Sequence, residues 1–215
     1  MKSGETKHSD HLHRRLSAGF FQKDTVHIAE KLIGCFLIHD TPNGIVGGRI
    51  VETEAYLGPD DLGAHSSGGR RTERNRAMYG PRGHAYVYLI YGMYWCFNVV
   101  CGPRDLPQAV LIRALEPVYG VGLMRQNFAA ANGSESALCR GPGKLCIALG
   151  ITKDQYGTDL RGNRLFLVPG KPAKSETIKT SPRINIDYAG DWAAKPWRFY
   201  LAGHPSVSGS AKLRK

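Results

Sequence analysis

The sequence predicts an α+β domain whose strands pair antiparallel. Three observations point there. Runs of β-branched and aromatic residues are separated by short turns, so successive strands fold back on one another. Capped segments with helical spacing stand between some of these runs. The 215 residues contain neither an internal repeat nor a linker that would split them, and 42% hydrophobic with 22% charged residues is enough for one core.

In chain order, residues 1–15 are polar and carry His8, His11 and His13. A frayed terminus is expected there in preference to a metal site. Asp24 stands at an N-cap, Val26, Ala29, Leu32 and Ile33 recur at helical spacing, and Gly34 supplies the stop. Residues 35–39 read as a strand. Thr41-Pro42-Asn43-Gly44 is a turn, after which the chain returns through Ile45 into residues 48–56, making a hairpin. Residues 59–83 read as a long loop, of the length that is functional or disordered. Residues 84–91 and 94–101 are strands, and the Gly92-Met93 link suggests a tight type II′ hairpin with Tyr91 and Tyr94 flanking the tip. A third strand, 108–115, is expected beside the second. Glu116-Pro117 looks like a helix start, weakened by Gly120 and Gly122 and ending near Asn132-Gly133. Residues 139–150 form a glycine-rich turn feeding a short helix. Residues 164–168 and 197–201 read as strands, while 170–180 and the tail from Ser208 look loose and basic.

The formal net charge is +11 and the pI about 9.6, which favours a polyanionic partner, nucleic acid ahead of an anionic membrane. Five cysteines, none in a CxxC pair, suggest buried thiols in a reducing compartment and neither a zinc ribbon nor a redox motif. No stretch is long and apolar enough to span a bilayer, and no signal-peptide pattern opens the chain. A soluble intracellular protein is expected.

The chemistry concentrates in residues 48–59. A regular strand puts Glu52, Glu54 and Tyr56 on one face. These are either solvated glutamates on a half-exposed strand or the edge of a cleft, with one glutamate a general base and Tyr56 a wall. Arg113 within a strand is either on a wet face or paired with an anion. Asn98, polar in an apolar strand, needs a partner if buried. A bulky aromatic at the hairpin tip suits a wedge between stacked bases, although cross-strand packing would also place one there. The four arginines between Arg70 and Arg76 suit phosphate oxygens or a solvated run. Arg140 and Lys144 beside a helix start make a further phosphate site, without P-loop spacing.

Arg49-Ile50-Val51-Glu52-Thr53-Glu54-Ala55-Tyr56-Leu57-Gly58-Pro59, then His65, Gly68-Gly69-Arg70, Arg74-Asn75-Arg76, Tyr86-Val87-Tyr88, Tyr91-Gly92-Met93-Tyr94, Asn98, Arg113-Ala114-Leu115-Glu116-Pro117 and Gly141-Pro142 with Lys144-Leu145-Cys146 stand in one order. Together they closely resemble the alkyladenine (3-methyladenine) DNA glycosylase family, from about Arg15 to about Ser206. The resemblance implies a single domain on a curved antiparallel sheet with a protruding hairpin, surrounded by helices. Its domain would span 16–206, between a flexible segment 1–15 and a basic tail 207–215. It implies excision of alkylated or deaminated purines from double-stranded DNA without a cofactor or metal, by a monomer that is cytoplasmic in a bacterium or nuclear in a eukaryote. By motif, Glu54 resembles the residue that activates water, and Arg113 one that helps hold that site. Tyr56, His65, Tyr88 and Leu111 resemble the walls of the base pocket. Asn98 resembles the group that crowds out the exocyclic amine of guanine, and Tyr91 the intercalating wedge. Arg70, Arg74, Arg76, Arg140 and Lys144 would meet the DNA backbone. The turn at 102–108 matches no family motif.

The implied chemistry suits the residues. Rotating a nucleotide out of the stack costs a few kcal/mol, and stacking on aromatic rings returns about 1–3 kcal/mol per base. A carboxylate that deprotonates water is typically worth about 10²–10⁴-fold. With no lysine beside Glu54 in sequence, a monofunctional hydrolase that leaves an abasic site is expected. Two other classes compete. A non-catalytic nucleic-acid-binding module would leave the two glutamates without purpose. A metal-dependent nuclease would use Glu54, Asp60, Asp61 and His65. A sugar glycosidase fits less well, because carboxylates on one strand face cannot flank both sides of a bond.

Overall fold

The computed structural model describes residues 12–128 and 133–214. His8 and His11 lie outside them, as does Asn132, near which the helix after Glu116 was expected to end. The described chain is one α+β domain with an open antiparallel sheet of eight strands.

Strands β1 (Phe36–Thr41) and β2 (Gly44–Tyr56) form the expected first hairpin, with Thr41 opposite Gly44 and Phe36 opposite Arg49. Strand β2 is the axis of the sheet. One edge pairs with β5 (Ala109–Tyr119), and the other pairs with β1 along its first half and with β8 (Arg198–Leu201) at Glu52–Glu54. Strands β3 (Ala85–Ile90) and β4 (Tyr94–Val100) extend the β5 side, and β6 (Leu165–Val168) extends the β1 side. Helix α1 (Thr25–Lys31) starts as its sequence requires: the Asp24 carboxylate accepts from the His27 N–H at 2.8 Å. Its Ile28 and Ala29 are fully buried, and the Thr53 hydroxyl ties β2 to the helix by donating to the Ala29 carbonyl at 2.8 Å. After α2 (Val121–Gln126), helix α3 (Pro142–Leu149) takes Pro142 in its first turn and ends at Gly150, whose φ is +64°. Leu145, Cys146, Ala148 and Leu149 face the core against β4 and β5. All five cysteines are buried free thiols.

Three local expectations need correction. The β3–β4 link is not a two-residue type II′ turn. Ile90 pairs with Tyr94 across a three-residue link, and Tyr91 and Gly92 both have positive φ, +53° and +69°. No helix begins at Glu116. Strand β5 continues to Tyr119, because Pro117 lies opposite Gly48 and Arg49 bonds the facing Glu116 at 2.7 Å. A Cβ on Gly48 would stand 2.3 Å from the Glu116 carbonyl oxygen, so the bare glycine lets the strands close and the cross-strand partner overrides the proline signal. Residues 170–180 are not simply loose, since β7 (Ile178–Ser181) pairs with β8. The long loop at 59–83 is wound on the buried Asn75, whose amide donates to the carbonyls of His65 and Arg70 and whose oxygen accepts from the Thr72 N–H.

Candidate active site

The site begins with two irregularities that cancel. Ile50 faces Leu115, Glu52 faces Ala114 and Thr53 faces Ile112, so Val51 on β2 and Arg113 on β5 are each left without a facing residue. Bulges of this kind bend a sheet and re-aim a side chain. Arg113 sits between the two glutamates. Its Nε donates to Glu52 Oε1 at 2.9 Å and its Nη1 to Glu54 Oε2 at 3.2 Å. Glu52 and Glu54 share a face, as strand alternation requires, but they are not solvated: both are fully buried.

Burying two carboxylates costs several kcal/mol each unless partners compensate, and here the partners are dense. Glu52 also accepts from Arg198 Nε at 2.7 Å and from the Ser208 N–H at 2.7 Å and hydroxyl at 2.9 Å. Ser208, which reads as the start of a loose tail in the sequence, is itself buried. Burial pushes the Glu52 carboxyl up, but Arg113, Arg198 and the Ser208 N–H outweigh it and hold the group below its ordinary range. Burial likewise pulls Arg113 down, and Glu54 and Glu52 more than reverse that. Glu54 accepts from the Tyr56 hydroxyl at 2.9 Å and from the Ile184 N–H at 2.7 Å.

A cavity of about 270 Å³ opens beside this cluster, lined by Tyr56, His65, Tyr88, Asn98, Leu111 and Arg113 among others. Five residues expected in a base pocket and the expected site arginine thus converge from four strands and one loop. Glu54 is not in the lining; it lies one layer behind, bonded to three residues that are. Asn98 faces both Tyr86 and Leu111 across β4, is buried, and donates to the Tyr86 carbonyl at 3.1 Å. His65 Nδ1 lies 2.8 Å from the Tyr86 hydroxyl, and its ring stands edge-on to Tyr88 with centroids 4.4 Å apart. His65 is exposed overall, but burial of its ring beside Tyr86 and Tyr88, then the charges of Arg74 and Arg70, lower its pKa to about 4, so the imidazole is neutral near pH 7. Burial raises the Tyr56 phenol well above its ordinary value, with the Glu54 charge adding to it, and burial also raises Tyr88; both remain hydroxyl donors.

Behind Tyr56 lies a support that sequence reading missed. The Arg183 guanidinium stacks 4.6 Å from the Tyr56 ring and 5.1 Å from Trp197, and bonds both oxygens of the buried Asp61 at 2.6 and 2.8 Å. Asp61 also accepts from the N–H groups of Leu57 and Gly63. Tyr86, Ile184 and Arg198 were missed as well. Tyr86 was legible, since it alternates with Tyr88 on one strand. Among the described residues no three His, Cys, Asp or Glu side chains are grouped to hold a metal ion, and Asp61 is committed to Arg183.

At the hairpin tip Tyr91 is 74% exposed and borders the same cavity. Arg70, Arg74 and Arg76 are exposed on the 59–83 loop. Arg74 lies 5.3 Å from the Tyr88 ring centroid and donates to the Leu89 carbonyl, whereas Arg76 pairs with Glu73. Pro142 and Gly143 bring the start of α3 to the cavity; Lys144 beside them is exposed, and Arg140 is half-buried with Nη2 donating to the Ser136 hydroxyl. The 102–108 turn is tied to the loop by Arg71–Asp105 at 3.1 Å and by Asp105 N–H donating to the Tyr79 carbonyl at 3.0 Å. No helix among the described residues is long and apolar enough to cross a membrane.

Residues 19–205 match the family model described as methylpurine-DNA glycosylase. The chain is 52% identical over 198 residues to a Bacillus cereus (strain AH820) protein named "Putative 3-methyladenine DNA glycosylase", covering 88% of this chain and 96% of that one. A protein of the same name from Bacillus cytotoxicus is 49% identical over 197 residues, covering 88% and 97%. With a family match across nearly the whole domain, and relatives this similar over almost their full length, the chain belongs to the methylpurine-DNA glycosylase family.

Proposed function

We propose that the protein extrudes alkylated or deaminated purines from duplex DNA and hydrolyses their N-glycosidic bond with a water activated by Glu54, leaving an intact abasic site. The observation that carries this is one cavity with aromatic walls backed by a buried carboxylate. About 270 Å³ lies just below the roughly 300–1,000 Å³ of drug-sized sites, which suits a single flat heterocycle.

Tyr56 and Tyr88 offer ring faces or edges to the base, and neutral His65 and Asn98 bring polar edges to the same space. The Tyr91 ring fills the gap that the extruded nucleotide leaves in the stack. For a positively charged alkylpurine the base is already a good leaving group, so a carboxylate that takes a proton from water is enough. The Arg113 guanidinium donates to Glu54 Oε2 and aims it. The Tyr56 hydroxyl donates to Glu54 Oε2, so a water must exchange with that hydroxyl, or bridge to it, for Glu54 to act through this oxygen. No lysine amine is among the residues that line the cavity or bond Glu54, in keeping with hydrolysis and not a Schiff-base route. Exposed arginines and the +11 charge supply phosphate affinity.

The test is incubation with duplexes carrying one alkylated, one deaminated or no altered purine. Free base and an alkali-labile, otherwise intact strand are expected from the damaged duplexes. Strand cleavage without alkali, retained by Glu54→Ala protein, would rule out the mechanism.

A further inference from the structure

Tyr91 is not the only aromatic ring left in water at the cavity. Tyr188 is 73% exposed and lines the same space, together with Tyr91 and Tyr94. An exposed ring gains little from folding, so its placement at the mouth of a base-sized cavity calls for a ligand. Its backbone is well anchored. Tyr188 lies in a 3-10 turn spanning Asp187–Trp192, flanked by Ile186 at 4% and Ala189 at 0% exposure. Ile184, Asn185 and Ile186 line the cavity just before it, Asn185 in the left-handed region at φ +60°, and the Ile184 N–H donates to Glu54 at 2.7 Å. One short segment therefore runs from the buried carboxylate to the uncovered ring.

We propose that Tyr188 is a second DNA-contacting aromatic, which stacks on a nucleotide flanking the extruded one. This deepens the glycosylase reading and rests on its DNA-binding part. DNA is the occupant that the surroundings select. Two uncovered tyrosines from separate elements border one cavity sized for a single base, and the exposed arginines of the 59–83 loop lie on a chain of net charge +11. Extruding a nucleotide uncovers the π-faces of its neighbours, and stacking accepts any base. A protein partner would offer no reason to place flat rings around a hole of that size.

The full chain is titrated against a duplex carrying one deaminated adenine, comparing wild type, Tyr188→Ala and Tyr188→Phe. Because the ring is exposed, thermal midpoints should agree across the three. Tyr188→Ala should weaken binding roughly 5- to 100-fold, and Tyr188→Phe should bind within about two-fold of wild type. An alanine variant that binds like wild type overturns the proposal, and so does a phenylalanine variant as weak as alanine, since the ring would then not be the contact. Base release is scored separately. Wild type that binds but releases no base defeats the catalytic reading while the affinity ratio still decides Tyr188; wild type that does not bind DNA defeats both.

Discussion

Beneath the floor of the cavity, behind Arg113, Glu52 is fully buried and accepts from Arg113, Arg198 and both donors of Ser208. At the hairpin tip Tyr91 is 74% exposed, with a backbone φ of +53° that a side chain with a Cβ adopts at a cost of about 1–2 kcal/mol. The floor is over-determined: each charge is held by several donors from distant parts of the chain, so its geometry is set by the protein's own contacts. The tip is the reverse, a ring carried on a strained turn and uncovered by anything in the protein. Catalytic groups work from fixed positions, because a misplaced carboxylate loses its advantage. The wedge role proposed for Tyr91 instead requires a ring free to be buried in something else, and the strain of its turn is sustained by the strands beneath it.

The contrast can be broken most severely at Glu54. Glu54→Gln should leave binding to a damaged duplex near wild type and slow single-turnover base release by about 10²–10⁴-fold; loss of both would make the residue structural. Next is Glu52→Gln, which leaves Arg113 and Arg198 facing a neutral amide in the interior. It should lower stability by about 3–5 kcal/mol in urea unfolding, an effect no substitution at the tip should approach. At the tip, Tyr91→Ala should weaken damaged-duplex binding by about 1–3 kcal/mol, and Tyr91→Asn, better suited to positive φ, should lose affinity while gaining up to about 1 kcal/mol of stability. A tip variant that lost stability and kept affinity would reverse the assignment.

The smallest effect is in acid. Glu52 is held below its ordinary range, and Glu116, bonded by His204 and Arg49, is lowered from 4.5 to about 2. In that window the unfolded chain binds more protons than the folded one, so the stability these groups contribute is complete above about pH 4.5 and is lost as pH falls toward 2. His65, lowered to about 4, acts in the same direction between its ordinary 6.5 and 4. A urea midpoint that stayed constant from pH 6 to pH 3 would contradict all three.

Much of the fold was legible from local chemistry. Alternation and turn residues placed both hairpins and Asp24 placed the start of α1, whereas the grouping of Tyr56, His65, Tyr88, Asn98 and Leu111 was implied by the resemblance to the glycosylase family. The misses share a cause. Glu116-Pro117 carries a genuine helix-start signal, yet Gly48 and Arg49, nearly seventy positions away, keep it in a strand. Ser208 reads as tail until Glu52 is seen to need its N–H, and nothing near Asp61 in sequence announces that Arg183, 122 positions on, will bond it.

The resemblance to the glycosylase family supplied which carboxylate, amide and rings a purine-handling site would require, while residue type and spacing alone determined which stretches alternate and where the chain turns. Those are properties of neighbours along the backbone. Only the folded chain decided that the two glutamates are buried and not wet, that paired bulges aim Arg113 between them, that Glu54 stands behind the cavity wall, and that Tyr188 reaches the mouth. Each depends on charge compensation or close approach between segments far apart in sequence, and such energies have no local signature.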